Sequence, residues 1–408
     1  MTFGTDILAQ AEALSKFTED APRITRTYLT PQHRAAGDFI RNLMREARMA
    51  AEYDALGNVV GHYDAAMPGA PVLISGSHMD SVRNAGKYDG LFGILSAIAC
   101  VRDLARRGLR LPFAIEVVAF GDEEGVRFGS TLLGSRAMAG SFDPEWLERK
   151  DGKGITLRKA LADFGCDPEG WRRLDRRGQG VAAYIEAHIE QGPVLLEEGL
   201  AVGVVTSIAG ASRVRVNVTG LAGHAGTVPM GIRRDALTAA SEMILAIESH
   251  CRSRAGLVGT VGKLEALPGA VNVIPQDVAF TIDLRSGTDA PRLAALDAVH
   301  ALLDAIAARR GVELGWEPYF DSQAAPCNPA LQNQLAQSIA RQGAKVRRLA
   351  SGAGHDAMVF PPVCPTAMLF VRCGNGGISH HPDEILAAED ADFATRVLLD
   401  FLEHFEPL

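Results

Sequence analysis

Five short stretches of this chain carry residue types that could do hydrolytic chemistry. Val72-Leu-Ile-Ser-Gly-Ser-His78 runs into Met79-Asp80, and Asp89 follows in a glycine-flanked loop. The apolar run Phe113–Phe120 leads straight into Gly121-Asp-Glu123-Glu124-Gly125. His188 lies near the end of the alternating stretch Tyr184–Glu190, and His380-His381 follows the apolar run Ala367–Val371. Neutral imidazole and carboxylate are ligand types for divalent metal ions. Two such ions sharing one bridging carboxylate fit the number of candidates. A pair of this kind lowers the pKa of a water held between the ions and polarises a substrate carbonyl. One carboxylate must stay uncoordinated to take the water's proton. The adjacent Glu123 and Glu124 can supply one ligand and one base.

Each cluster stands where a strand hands over to a loop or a helix. In open α/β sheets ligands bind at the carboxyl ends of the strands, so four parallel neighbouring strands would bring the clusters to one edge. The flanking pattern supports such a sheet. Helices are expected over 6–17, 31–49 (opened by Thr30-Pro31), Leu91–Arg107, Leu331–Gln342 and Ala388–His404, with a strand pair at Ala51–Tyr53 and Val59–Tyr63. Residues 142–180 are polar and glycine-rich, with one helix expected at Leu157–Phe164 and no chemical reading.

Near Gly210 the character changes. A regularly alternating strand, Arg213–Thr219, precedes a glycine-rich loop holding His224. A helix, two strands, a second helix and a last strand at Val312–Tyr319 complete a two-layer α+β pattern. The expected organisation is an α/β catalytic domain, residues 1–210 and 326–408, with a mixed, mostly parallel sheet flanked by helices. A two-layer α+β domain, residues 211–325, is inserted in it.

Composition narrows the function. At 408 residues, with 47% hydrophobic and 22% charged residues, the chain has the make-up of a two-domain globular protein. A net charge of −8 without a strongly basic stretch argues against nucleic acid, and no apolar run is long enough to span a bilayer. The segment Met1–Phe17 carries Asp6 and Glu12 and is not expected to be a signal peptide. Six cysteines without a C-x-x-C pair fit a reducing cytoplasm and argue against a thiolate zinc site and a disulfide scaffold. His33, His62, His250, His300 and His404 lie in no comparable loop and are assigned to surface or packing roles.

Taken together, Ser77-His-Met-Asp-Ser81, Tyr88-Asp-Gly90, Glu123-Glu-Gly-Val-Arg-Phe128 and His188-Ile-Glu-Gln-Gly-Pro193 resemble the signatures of a known family. So do Gly223-His-Ala-Gly226, Asn272-Val-Ile-Pro275, Leu284-Arg285 and Ser379-His-His-Pro382. The family is the hydantoinase/carbamoylase group of the M20 metallopeptidase-like amidohydrolases, which includes N-carbamoyl-L-amino-acid hydrolases, allantoate amidohydrolases and β-ureidopropionases. The resemblance runs from about residue 10 to the C-terminus.

The resemblance implies a binuclear site bridged by Asp89, with His78 and His188 on one ion and Glu124 and His380 on the other. It implies Glu123 as the general base and Asp80 as the residue that orients His78. Gln191, His224, Asn272 and Arg285 match positions that hold the substrate's carboxylate and carbonyl, and His224 would reach the partner subunit's site. The inserted domain would act as dimerisation and lid domain of a homodimer. One departure is the loop Asn84-Ala-Gly-Lys87, where relatives often carry a glycine pair.

The implied reaction is hydrolysis of a ureido C–N bond next to a carboxylate, with release of ammonia and carbon dioxide. An N-carbamoyl-L-amino acid is the first choice of substrate and allantoate the second. Zinc is the first choice of metal, with manganese, nickel and cobalt as alternatives. A peptidase of the same superfamily fits less well, because such peptidases usually place an acidic ligand where His188 stands. A non-catalytic small-molecule binding protein would have no use for the ligand set and Glu123.

Overall fold

Val72–His78 and Ala114–Phe120 are buried almost throughout, as strands covered on both faces must be. In the computed structural model, which describes residues 2–408, they form the middle of a mixed sheet. Its order runs Ala50–Tyr53, Val59–Tyr63, Ala114–Phe120, Val72–His78, Val181–Ile189, Thr366–Val371 and Val202–Ile208. The four strands from Ala114–Phe120 to Thr366–Val371 are mutually parallel, and the outer pairings are antiparallel. The strands that precede the candidate residues are therefore side by side, and their carboxyl ends share one edge. Val202–Ile208 and Arg348–Ser351 add strands that the sequence pattern did not single out.

The apolar faces of the helices explain how the sheet is covered. Ile7, Ile40, Ile98 and Leu398, from the helices Phe3–Ser15, Pro31–Glu46, Leu91–Arg106 and Ala388–Glu403, join Leu73, Ile115 and Ile185 of the sheet in one buried cluster. The helix Leu91–Arg106 starts without a side-chain cap, on Gly90 at φ +68°. Any side chain at Gly90 would run into the carbonyl and ring of His78. That glycine lets Asp89, at the helix N-terminus, lie against His78.

Residues 142–180 supply Phe142, Leu147, Leu157, Leu161 and Phe164 to a second apolar cluster, with Tyr28, Leu56 and Phe128. The polar stretch without a chemical reading is thus a buttress under the segment that follows Glu123-Glu124.

The chain divides into two compact units, Met1–Thr206 with Cys327–Leu408, and Ser207–Pro326. The second has an antiparallel sheet in the order Glu313–Ser322, Gly210–Thr219, Asp277–Ser286, Leu257–Leu267. Asp277–Ser286 alternates strictly between buried and half-exposed positions. Its inward residues Val278, Phe280, Ile282 and Leu284 pack with Met243 and Ile247 of helix Ala236–Arg252 and with Val299 and Leu303 of helix Asp289–Arg310. This is a two-layer α+β unit. No helix among the described residues is long and apolar enough to cross a membrane.

Candidate metal centre and catalytic site

Four parallel strand ends deliver the candidate side chains. His78 is the last residue of Val72–His78, and His188 is the penultimate residue of Val181–Ile189. Glu123 and Glu124 follow Ala114–Phe120 after a turn in which Asp122 takes a left-handed φ of +63°. His380 comes in on the loop after Thr366–Val371, itself at φ +56°.

Asp89 is the hub. Its carboxylate lies 3.6 Å from His78 Nε2, 3.3 Å from His188 Nε2 and 3.1 Å from His380 Nε2. Burial works against its charge, yet His188, His380 and His78 hold the carboxyl well below the usual carboxylate range. His380 Nε2 is also 3.6 Å from Glu124 Oε1. Two donor sets result, His78–Asp89–His188 and Asp89–Glu124–His380, with donor atoms within 4.8 Å of one another in each. They share Asp89.

Do these residues fit a pair of cations? His188 is buried and its Nε2 finds no hydrogen-bond partner, although it faces Asp89. The other nitrogens of both deep imidazoles are tied to backbone carbonyls: His78 Nδ1 to Asp80 at 3.1 Å and His188 Nδ1 to Ile189 at 2.8 Å. Such bonds aim the free Nε2 lone pairs inward. The donor set of imidazole and carboxylate suits borderline divalent metals. The residues fit.

Asp80 sits beside His78, but the hydrogen-bonding contact to the ring comes from its carbonyl; the carboxylate is 4.0 Å away. That carboxylate instead accepts the backbone N–H groups of Glu123 (3.1 Å) and Glu124 (3.3 Å). Asp80 thus fixes Glu123 and Glu124 through its carboxylate and the neighbouring imidazole through its carbonyl. Burial raises the Glu123 carboxyl well above its usual range against the pull of His78, and Glu124, Asp356 and Asp80 push it further. Burial pushes Glu124 up to about 7, with Asp89 adding to it. Glu123 also groups with His78 and Glu124 as a donor set, but only Glu124 reaches the set that holds Asp89 and His380.

The tandem histidines point apart. His381 Nδ1 accepts the N–H of Asp383 at 3.2 Å and faces Asp383 Oδ2 at 3.7 Å, away from Asp89. Gln191 Nε2 lies 3.2 and 3.1 Å from the two Asp89 oxygens and 3.3 Å from His380 Nε2, while its buried Oε1 has no partner.

The remaining candidates are in the other unit. His224 pairs across a short ladder with Val273, and Ala225 N–H donates to the carbonyl of Asn272, so these two candidates are neighbours. Both are exposed. Arg285 is half-buried and pairs with Asp283, whose carboxylate also takes Arg213 at 2.9 Å.

Against this geometry, known proteins give a consistent answer. Residues 60–404 match the model of peptidase family M20/M25/M40. The chain is 40% identical over 375 residues to an N-carbamoyl-L-amino acid amidohydrolase of Geobacillus stearothermophilus, covering 92% of this chain and 91% of that one. The chain belongs to this family. Within M20 the likeness is to amidohydrolases, and the protein is a hydrolase. An allantoate deiminase of Arabidopsis thaliana is 39% identical over 429 residues, covering 98% of this chain and 82% of that one. A crystal structure of a hydantoinase/carbamoylase family amidase from Burkholderia multivorans superposes with a TM-score of 0.93 at 32% identity, over 99% of this chain and 98% of that one.

The M20 site also contains buried groups that the sequence reading passed over. The His355 ring packs at 4.4 Å from the His188 ring and its Nε2 meets Ser351 Oγ at 2.8 Å. Glu186 forms a donor set with His188 and His355. Its oxygens already accept Ser77 Oγ (2.8 Å), Tyr184 OH (3.2 Å) and the N–H of Ala357 (2.8 Å), so it anchors polar groups beneath the centre. The alternation Tyr184-Glu186-His188 placed Glu186 on the His188 face. His355 and Asp356 follow the unrecognised strand Arg348–Ser351, and the same strand-end rule would have found them.

Proposed function

We propose that the protein is a two-metal hydrolase of a ureido C–N bond next to a carboxylate, with an N-carbamoyl-L-amino acid as first substrate and allantoate as second. The observation that carries this reading is the half-buried Glu123 carboxyl beside two donor sets that share Asp89. His78, His188 and Asp89 would hold one ion, and Asp89, Glu124 and His380 the other. When bound, the pair would lower the pKa of a water and polarise the ureido carbonyl.

Glu123 takes a proton from the attacking water and returns it to the departing nitrogen. A base whose carboxyl is raised by burial suits this double task, since it holds the water's proton more firmly than an exposed carboxylate does. One C–N bond breaks, and the carbamate left behind falls apart to carbon dioxide and an amine. Arg285 would take the substrate carboxylate with two parallel hydrogen bonds, Gln191 and Asn272 would hold its polar edges, and His224 would stabilise the oxyanion. His224 would act on the site of a partner subunit, which makes the working form a homodimer joined through the smaller unit. Six free cysteines support a cytoplasmic setting. Zinc is the first choice of metal, with manganese, nickel or cobalt as alternatives.

The names of the relatives support both substrates: N-carbamoyl-L-amino acid amidohydrolases at 36–40% identity and allantoate deiminases at 36–39%. The test is ammonia release from a panel of N-carbamoyl-L-amino acids and allantoate, with the appearance of new amino groups measured for short peptides, before and after chelation and metal replacement. The expected result is the highest kcat/KM on an N-carbamoyl-L-amino acid, lost on chelation and restored by a divalent metal. Preference for allantoate would reverse the order of substrates, and turnover of peptides alone would overturn the reading.

A further inference from the structure

Glu384 is 5% exposed and stands near the edge of the centre without belonging to either donor set. Its Oε1 accepts the backbone N–H of Tyr88 at 2.8 Å and that of Asp89 at 3.2 Å, and its Oε2 accepts Ser379 Oγ at 2.9 Å. One buried carboxylate thus joins two loops that lie far apart in sequence: the one that presents Asp89 and the one that presents His380. The second loop needs such an anchor, because His380 holds a left-handed φ of +56°, a conformation that a non-glycine residue adopts at a cost. His78 and His188 are tied differently: Glu186 on the His188 strand accepts Ser77 Oγ at 2.8 Å, and each ring is aimed by a backbone carbonyl close by in sequence.

The glycine in the departing loop Asn84-Ala-Gly-Lys87 has a role in this arrangement. A side chain at Gly86 would run into the Glu384 carboxyl and Cβ, while the Gly86 backbone needs no left-handed conformation. The one glycine kept there is the one that makes room for Glu384.

We propose that Glu384 is a positioning residue that sets the distance and angle between Asp89 and His380, and so the affinity of the metal held by Asp89, Glu124 and His380. The inference rests on the two-metal reading given above. A carboxylate that accepts three donors at once does this better than any neutral group, since bonds to a charged acceptor are the stronger and shorter ones. Outer partners of metal ligands are worth on the order of 10–100-fold in affinity.

The experiment measures the two metal affinities separately, by zinc competition against a chromogenic chelator, on the full-length protein and on Glu384→Ala, Glu384→Gln, Gly86→Ala and Ser379→Ala. In Glu384→Ala one affinity should fall by roughly 10–100-fold and the other by less than about threefold. Excess zinc should restore much of the turnover. Glu384→Gln keeps one carbonyl oxygen for the two N–H groups and should recover part of the loss. Gly86→Ala should reproduce the unequal loss with Glu384 still in the chain, and it carries the test if Glu384→Ala fails to fold. Equal weakening of both metals, or unchanged affinities in Glu384→Ala and Gly86→Ala, would overturn the proposal. Wild-type protein that binds no pair of metals would instead overturn the two-metal reading itself.

Discussion

Around Asp89 the rings of His78 and His188 are buried, Glu123 and Glu124 are half-buried and His380 closes the group from the exposed side, whereas His224 and Asn272 stand exposed on the smaller unit and Arg285 is half-buried there. The first region is held from below. Asp80, Glu186 and Glu384 accept backbone and hydroxyl donors and thereby fix the loops that carry ligands. The second is held by a two-residue ladder at His224 and by the Asp283 carboxylate at Arg285. Burial has a direct chemical effect in the first region, raising the carboxyl groups of Glu123 and Glu124. The difference suggests a division of labour: chemistry preorganised at a sheet edge, recognition offered from a surface.

The sharpest way to break the comparison is to remove a ligand whose neighbour is a ready-made control. His380→Ala should abolish activity and lower occupancy of one metal, whereas His381→Ala should change turnover by less than about twofold, because His381 engages Asp383 while His380 meets Asp89 and Glu124. Metal content and ammonia release measure both. An active, fully loaded His380→Ala protein would refute the placement of the second ion.

Next in size is the base. Glu123→Gln should keep both metals and lose turnover by a factor on the order of 10²–10⁴. Glu124→Gln should instead lose metal. If metal analysis finds Glu123→Gln depleted and Glu124→Gln fully loaded, the two roles are exchanged.

The recognition side is tested with His224→Ala, which should cost roughly 10²–10³ in kcat, as the loss of an oxyanion donor does. Mixed with Glu123→Gln under conditions that exchange subunits, it should regain activity towards about a quarter of wild type, since half the dimers are mixed and each has one intact site of two. Exchange shown by mass spectrometry without any gain would mean that His224 does not act across subunits.

The smallest effect is expected at Arg285. Its replacement by lysine keeps the charge but loses the fork, so KM for a carboxylate substrate should rise about tenfold with kcat little changed. An equal rise for the corresponding substrate amide would show that Arg285 does not read the carboxylate.

Residue types and spacing alone determined much of this protein. Apolar or alternating runs followed by His78, Glu123-Glu124, His188 and His380-His381 announced strands with candidate ligands at or after their ends, because side-chain chemistry and strand periodicity are local properties of the chain. The alternation that marked Arg213–Thr219 holds in the folded strand for the same reason, while the strand itself begins three buried residues earlier, at Gly210. Tertiary structure alone decided which strands are neighbours, and that made four separate clusters into one centre around Asp89. It brought His380 rather than His381 against Asp89 through a loop conformation that no spacing encodes. It also revealed His355, Glu186 and Glu384, whose partners are distant in sequence: Glu384 meets Tyr88 and Asp89 across nearly the whole chain. A buried carboxylate is stable only where the fold brings donors to it, and which donors arrive is settled by packing.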